Sequence, residues 1–181
     1  DDILAIPAGN TSRTPVFVVG DVGAGKSTFI ANILHKRGSS WFTNERIWHA
    51  RIDMDIQLEH IIPRRSALLR KIWSTLFSRA EEFGVIASHE LSSLEAQKPL
   101  ESSPRDAWET AIKSLLRAAN KNNYKLLVII DNLDYLYHHF DRAAFARHMT
   151  LTHKYVHRLM SYVIDLWMPG GEFANYGAHL I

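Results

Sequence analysis

The sequence holds 181 residues, 46% of them hydrophobic and 22% charged, a balance that argues against collagen, plain coiled coil or a wholly disordered chain. Its 21 Lys and Arg stand against 19 Asp and Glu, and a net charge of +2 gives no electrostatic case for nucleic acid. There is no cysteine, which excludes disulfides, thiolate catalysis and cysteine-built zinc sites and fits a reducing, cytoplasmic setting. No apolar run approaches the ~20 residues of a bilayer span, and no basic stretch followed by an apolar one marks a signal peptide.

Asp1–Pro15 reads as an irregular lead-in punctuated by Pro7, Gly9, Asn10 and Pro15. Val16–Val19 is short, apolar and rich in valine, the pattern of a buried strand. Lys26–Arg37 is expected as a helix with Phe29, Ile30, Ile33 and Leu34 on its buried face, Lys36 and Arg37 at its negative end and Gly38 as its stop. After a loop around Ser39–Asn44, Trp48–Met54 is expected as a second strand. A helix follows from about Pro63 to Phe83, burying Leu68, Leu69, Ile72, Trp73, Leu76, Phe77 and Ala80.

Gly84–Ser102 has little regular pattern and reads as a surface excursion. Ser103 and Pro104 then open a helix, with Ser103 as N-cap and Asp106 near the positive end, burying Ala107, Trp108, Ala111, Ile112, Leu115 and Leu116. Leu126–Ile130 is apolar at every position, as suits a parallel strand covered on both faces. A long helix is expected over 141–168. Its stripe of Phe145, Met149, Thr152, Val156, Leu159, Val163 and Leu166 faces either the sheet or an oligomer seam. Pro169, Gly170 and Gly171 end it, and Gly177–Ile181 reads as a chain entering a further strand. Strands alternating with helices predict a three-layer α/β/α domain on a mostly parallel sheet.

The chemistry-bearing signal is Gly20-Asp21-Val22-Gly23-Ala24-Gly25-Lys26-Ser27, which matches G-x-x-x-x-G-K-[ST] at every fixed position. Its glycines allow backbone N–H groups to converge on phosphate oxygens, and the helix that follows turns its positive end toward the same anion. Asp21, Val22, Gly23, Ala24, Gly25, Lys26, Ser27 and Thr28 are therefore the candidate nucleotide site. Lys26 would reach the β- and γ-phosphates, and Ser27 would ligate Mg²⁺. Asp131, emerging after the apolar run Leu126–Ile130, would hold the same Mg²⁺ directly or through water.

Both motifs together resemble a P-loop NTPase, Walker A at Gly20–Ser27 and Walker B across 126–134. Their separation resembles the branch of AAA+ and STAND ATPases, in which an extra strand lies between the two Walker strands. Asp131-Asn132-Leu133-Asp134 is similar to the STAND pattern, yet Asn132 replaces a smaller residue and Tyr135 stands where glutamate is frequent. AAA+ proteins carry glutamate at the place of Asn132. Asn132 cannot take a proton from water, which leaves Asp134 as the acid at suitable spacing, with a structural role as its alternative. The resemblance implies an ATPase switch coupling Mg·ATP occupancy to a conformational or assembly change, in signalling or defence, with a protein partner or self-assembly. A nucleotide-gated scaffold with negligible turnover and a nucleotide or small-molecule kinase are the rivals; a DNA-associated ATPase is weaker.

Asn120-Lys121-Asn122-Asn123 lacks the aspartate of a guanine reader, so ATP is favoured over GTP, and Leu91-Ser92-Ser93-Leu94 is not a transporter signature. Arg64, Arg65, Arg70 and Arg79 read as a solvated basic face before lid arginines. His138, His139, His148, His153 and His157 cluster, but without the glutamate of a metalloprotease helix they read as solvent- or partner-facing. Tryptophans are read as core, and Trp41-Phe42 as local packing before a base or partner contact. The start without methionine and the end inside an incipient strand predict an N-terminal part of a larger nucleotide-binding core.

Overall fold

The computed structural model describes residues 18, 23–37, 39–54, 65–132, 158–168, 170–176 and 178–180. Three strands form a parallel sheet in the order β1 (Ile47–Asp53), β2 (Lys125–Asp131) and β3 (Ala178–Leu180). The β1–β2 register runs from Ile47 opposite Lys125 to Asp53 opposite Asp131. On the other edge of β2, Leu126, Leu127 and Val128 pair with Ala178, His179 and Leu180. Parallel neighbours cannot be joined by a tight turn, so each pair needs a long crossover. The first crossover carries α3 (Arg65–Glu82), α4 (Ser88–Ala96) and α5 (Arg105–Lys121).

Alternation along the strands sends side chains to two cores. Trp48, Ala50 and Ile52 of β1 and Leu126 and Val128 of β2 pack against Leu69, Ile72 and Leu76 of α3 and Ile112, Leu115 and Leu116 of α5. The opposite face carries Ile47, Leu127 and Ile129, which meet Ile30 and Leu34 of α1 (Lys26–Asn32, continued as a wider π-turn over Ile33–Arg37) and Phe42 of α2 (Ser39–Asn44). Val18, the described member of the expected first strand, packs into this second cluster. The result is a helix–sheet–helix sandwich, as the alternation of predicted elements implies.

The strongly periodic helices lie where their stripes place them. All the expected core positions of α3 are buried except Phe77, which is half-buried against the same cluster. In α5, Trp108, Ile112, Leu115 and Leu116 are buried, with Asp106 in the first turn and Lys121 in the last, each complementing the helix dipole. Residues 158–165 are helical (α6), with Leu159 and Val163 in the main core. The rest of the expected long helix, including Phe145, Met149, Thr152 and Val156, lies outside the described residues.

Four expectations are corrected. Ser39–Asn44 is a short helix rather than a loop, because burying Phe42 at 3% exposure anchors one turn against β1. The stretch 84–102 contains α4, whose one buried residue, Leu91, is too little to make a visible stripe. The N-cap of α5 is Pro104 and not Ser103, and no side chain caps this end. Pro104 is extended and its carbonyl accepts from the Ala107 N–H at 3.2 Å, while the Ser103 N–H is engaged with the Leu100 carbonyl. Phe29, expected in the α1 face, is 45% exposed, since the buried side of the helix is narrow and centred on Ile30 and Leu34. Phe42, Trp48, Trp73, Trp108 and Trp167 are core residues as read.

Candidate functional site

The site lies at the C-terminal edge of the parallel sheet, where open α/β sheets leave a crevice for ligands. Gly23 and Gly25 have φ of 82° and 79°, conformations that cost a β-carbon-bearing residue energy. A Cβ at either would meet no atom within 4 Å, so it is backbone conformation and not crowding that demands glycine there. Gly25 is the N-cap of α1, and its carbonyl accepts from the Phe29 N–H at 2.8 Å. Lys26 and Ser27 open the helix, both half-buried, and Thr28 is exposed beside them. Gly23 and Ala24 are exposed in the preceding turn.

Ser27 is brought onto β2. Its hydroxyl donates to the Asp131 carboxylate, 3.1 Å from Oδ2 and 3.4 Å from Oδ1. The two residues that the sequence assigns to one metal are thus in contact across 104 positions of chain. A serine hydroxyl and a carboxylate are hard oxygen donors of the kind Mg²⁺ takes, the hydroxyl offering a lone pair while keeping its proton. The residues present therefore fit the metal. Among the described residues there is no cluster of three or more His, Asp or Glu that could hold a metal ion.

Three further residues complete the edge, and only one of them was singled out from the sequence. Arg51 of β1 forms an ion pair with Asp131 Oδ2. Asn132, at φ 56°, donates its backbone N–H to Asp131 Oδ1 and its side-chain amide to Asp53 Oδ1, each at 2.9 Å. Asp53 lies opposite Asp131 in the β1–β2 register, and the Met54 N–H donates to the Asp131 carbonyl at 2.9 Å. The signal that could have found Asp53 is the one that found Asp131: an aspartate closing a parallel strand. Alternation Ile47, His49, Arg51, Asp53 also puts Arg51 and Asp53 on the face that meets α1.

Asp21, Val22 and Asp134 lie outside the described residues, as do Arg64 and the histidines at 138, 139, 148, 153 and 157. The remaining arginines of the α3 face each have a partner. Arg65 lies over the Tyr162 ring, Arg70 pairs with Glu101, and Arg79 pairs with Glu82 and bonds His49.

Comparison with protein-family models, with curated proteins and with solved structures gives no match. The functional reading therefore rests on the residues and their geometry.

Proposed function

We propose that the chain is an ATP-binding, Mg²⁺-dependent P-loop NTPase module, STAND-like or AAA+-like, that couples its nucleotide state to a conformational or assembly change. The observation that carries this reading is the Ser27–Asp131 contact, in which the last residue of a complete G-x-x-x-x-G-K-S motif meets the aspartate that closes a buried parallel strand. Strand order supports the branch. Both edges of β2 are taken, by β1 and β3, which leaves neither of them to a further strand, as an extra strand between the two Walker strands requires. That is the arrangement the AAA+ and STAND resemblance implies.

In this reading Gly23, Ala24 and Gly25, with Asp21 and Val22 before them, cradle the phosphates through backbone N–H groups. Lys26 places its charge against the β- and γ-oxygens, and Thr28 extends the polar rim. Ser27 and Asp131 would hold Mg²⁺, which when bound would supply positive charge to the phosphate oxygens. Arg51, already paired with Asp131, balances that carboxylate when no metal is bound.

One observation favours a second reading. Asn132 follows Asp131 directly and its amide is engaged with Asp53, so no carboxylate of the Walker B strand itself is described next to Asp131. A nucleotide-gated scaffold with negligible turnover is the outcome if no other acid serves. Equilibrium binding of ATP and ADP to the wild type and to Lys26→Ala, with and without Mg²⁺, tests the proposal. Saturable, Mg²⁺-enhanced binding that Lys26→Ala abolishes supports it, and absence of binding refutes it.

A further inference from the structure

We propose that Asp53, rather than Asp134, is the carboxylate that orients and deprotonates the attacking water, and that Asn132 is its positioning residue. The inference rests on the ATPase reading above. Asp131 is committed to Ser27 and Arg51, so water activation needs a second acid that is close to it but separate. The AAA+ resemblance implies glutamate immediately after the Walker B aspartate, where this chain has Asn132. An amide can hold a water but cannot accept its proton.

The missing acid stands one strand over. Asp53 and Asp131 are register partners at the C-terminal ends of neighbouring parallel strands, and such strands run about 4.8 Å apart. Ile47 on β1 and Leu127 and Ile129 on β2 share the cluster that contains Ile30 of α1. Two-residue alternation carries that same face to Arg51, Asp53 and Asp131, the side from which Ser27 reaches the sheet.

Asn132 fixes the pair. In its left-handed conformation it directs its N–H to Asp131 Oδ1 and its side-chain amide to Asp53 Oδ1, so one residue holds the metal carboxylate and the second acid in a defined relation. An acid and an amide have exchanged strands relative to the arrangement the resemblance implies. In the step assigned to Asp53, the water oxygen bonds to the γ-phosphorus as the bond from phosphorus to the β,γ-bridging oxygen breaks. ADP leaves with that electron pair, and the water proton passes to the Asp53 carboxylate.

The test uses the full chain and reads three quantities for each variant: ATP affinity, phosphate release with Mg²⁺, and thermal midpoint. The variants are Asp53→Asn, Asp134→Asn and the exchange Asp53→Asn with Asn132→Asp, which returns the acid to β2. The expected result for Asp53→Asn is ATP affinity and midpoint near wild type, with phosphate release down about a hundredfold or more, the usual scale for a lost general base. The exchange variant should regain at least about tenfold of that loss. Three results would overturn the assignment: phosphate release in Asp53→Asn close to wild type, loss of ATP binding together with turnover, or an equal or larger loss in Asp134→Asn. Wild type that binds ATP but releases no phosphate overturns the role of Asp53 while leaving the nucleotide-binding reading intact. Wild type that binds no ATP refutes that underlying reading instead.

Discussion

The hydroxyl of Ser27 and the carboxylate of Asp131 meet at 3.1 Å although 104 residues separate them in the chain. Neither residue needs the other to form its own element. Ser27 sits in the first turn of α1, and Asp131 is carried by an apolar strand that would be buried in any case. Their meeting follows from how α1 packs, with Ile30 and Leu34 pressed against Leu127 and Ile129 of the same strand.

Removing either half of this contact should separate metal binding from nucleotide binding. Ser27→Ala is expected to weaken Mg²⁺-dependent ATP affinity about ten- to a hundredfold, the scale of one charge-assisted interaction. Metal-free binding should change far less. A titration of ATP at several Mg²⁺ concentrations measures both, and equal losses with and without Mg²⁺ would contradict the metal assignment.

Arg51 competes for the same carboxylate. Its side chain is 40% exposed, so the ion pair with Asp131 is worth only about 0.2–1 kcal/mol. Arg51→Gln should therefore lower the Mg²⁺ concentration that half-saturates nucleotide binding by about two- to fivefold. A rise in that concentration would show that Arg51 assists the bound state instead of balancing Asp131 in its absence.

How much of this was legible in the sequence depended on whether a residue's task repeats with a period. The apolar run Leu126–Ile130 and the stripes of α3 and α5 are long and one-sided, and they mark strand and helices directly. Under the proposed reading, Ser27 and Asp131 are legible because the G-x-x-x-x-G-K-S motif and the aspartate after an apolar run are local patterns in the chain. Single anchors leave no such trace. Phe42 is buried in α2, and α4 buries Leu91 with Leu94 half-buried beside it, and so few apolar anchors among polar residues read as loop. Asp53 closes its strand as Asp131 does and carries the same local signal, but its pairing with Asp131 lies in the parallel register, which is not visible along one chain.

The attachment of α6 to α5 gives a stability prediction away from the site. Tyr162 donates its hydroxyl to Glu109 Oε1 at 2.7 Å, and Glu109 is a buried carboxylate that also faces Arg105 Nε at 3.4 Å. Burial, and then the bond to Glu109, push the Tyr162 hydroxyl well above its ordinary pKa, so it stays a donor. Tyr162→Phe leaves that buried charge with fewer partners and should cost about 1.5 kcal/mol or more. For a chain of this length that lowers the thermal midpoint by roughly 3–6 °C. A midpoint unchanged in Tyr162→Phe would mean that the apolar packing of α6, with Leu159 and Val163 buried and Met160 beside them, holds the helix without that hydrogen bond.

His49 makes folding sensitive to acid. It lies on β1 at 5% exposure, between the rings of Phe42 and Phe83, with His35 nearby. Arg79 donates to its Nδ1 and to its carbonyl, each at 3.2 Å, which requires Nδ1 to be unprotonated. Burial first, then the charges of Arg79 and His35, lower its pKa from 6.5 to about 4. The unfolded chain therefore binds a proton at a higher pH than the folded one, and the sign is fixed: stability is full above about pH 6.5 and falls as the pH drops toward about 4. The loss attributable to this residue is up to about 3 kcal/mol. His49→Gln, which does not titrate, should be less stable than wild type at neutral pH yet flatter across that window. Denaturant unfolding at a series of pH values measures the slope, and an equally steep acid limb in His49→Gln would assign it to other groups.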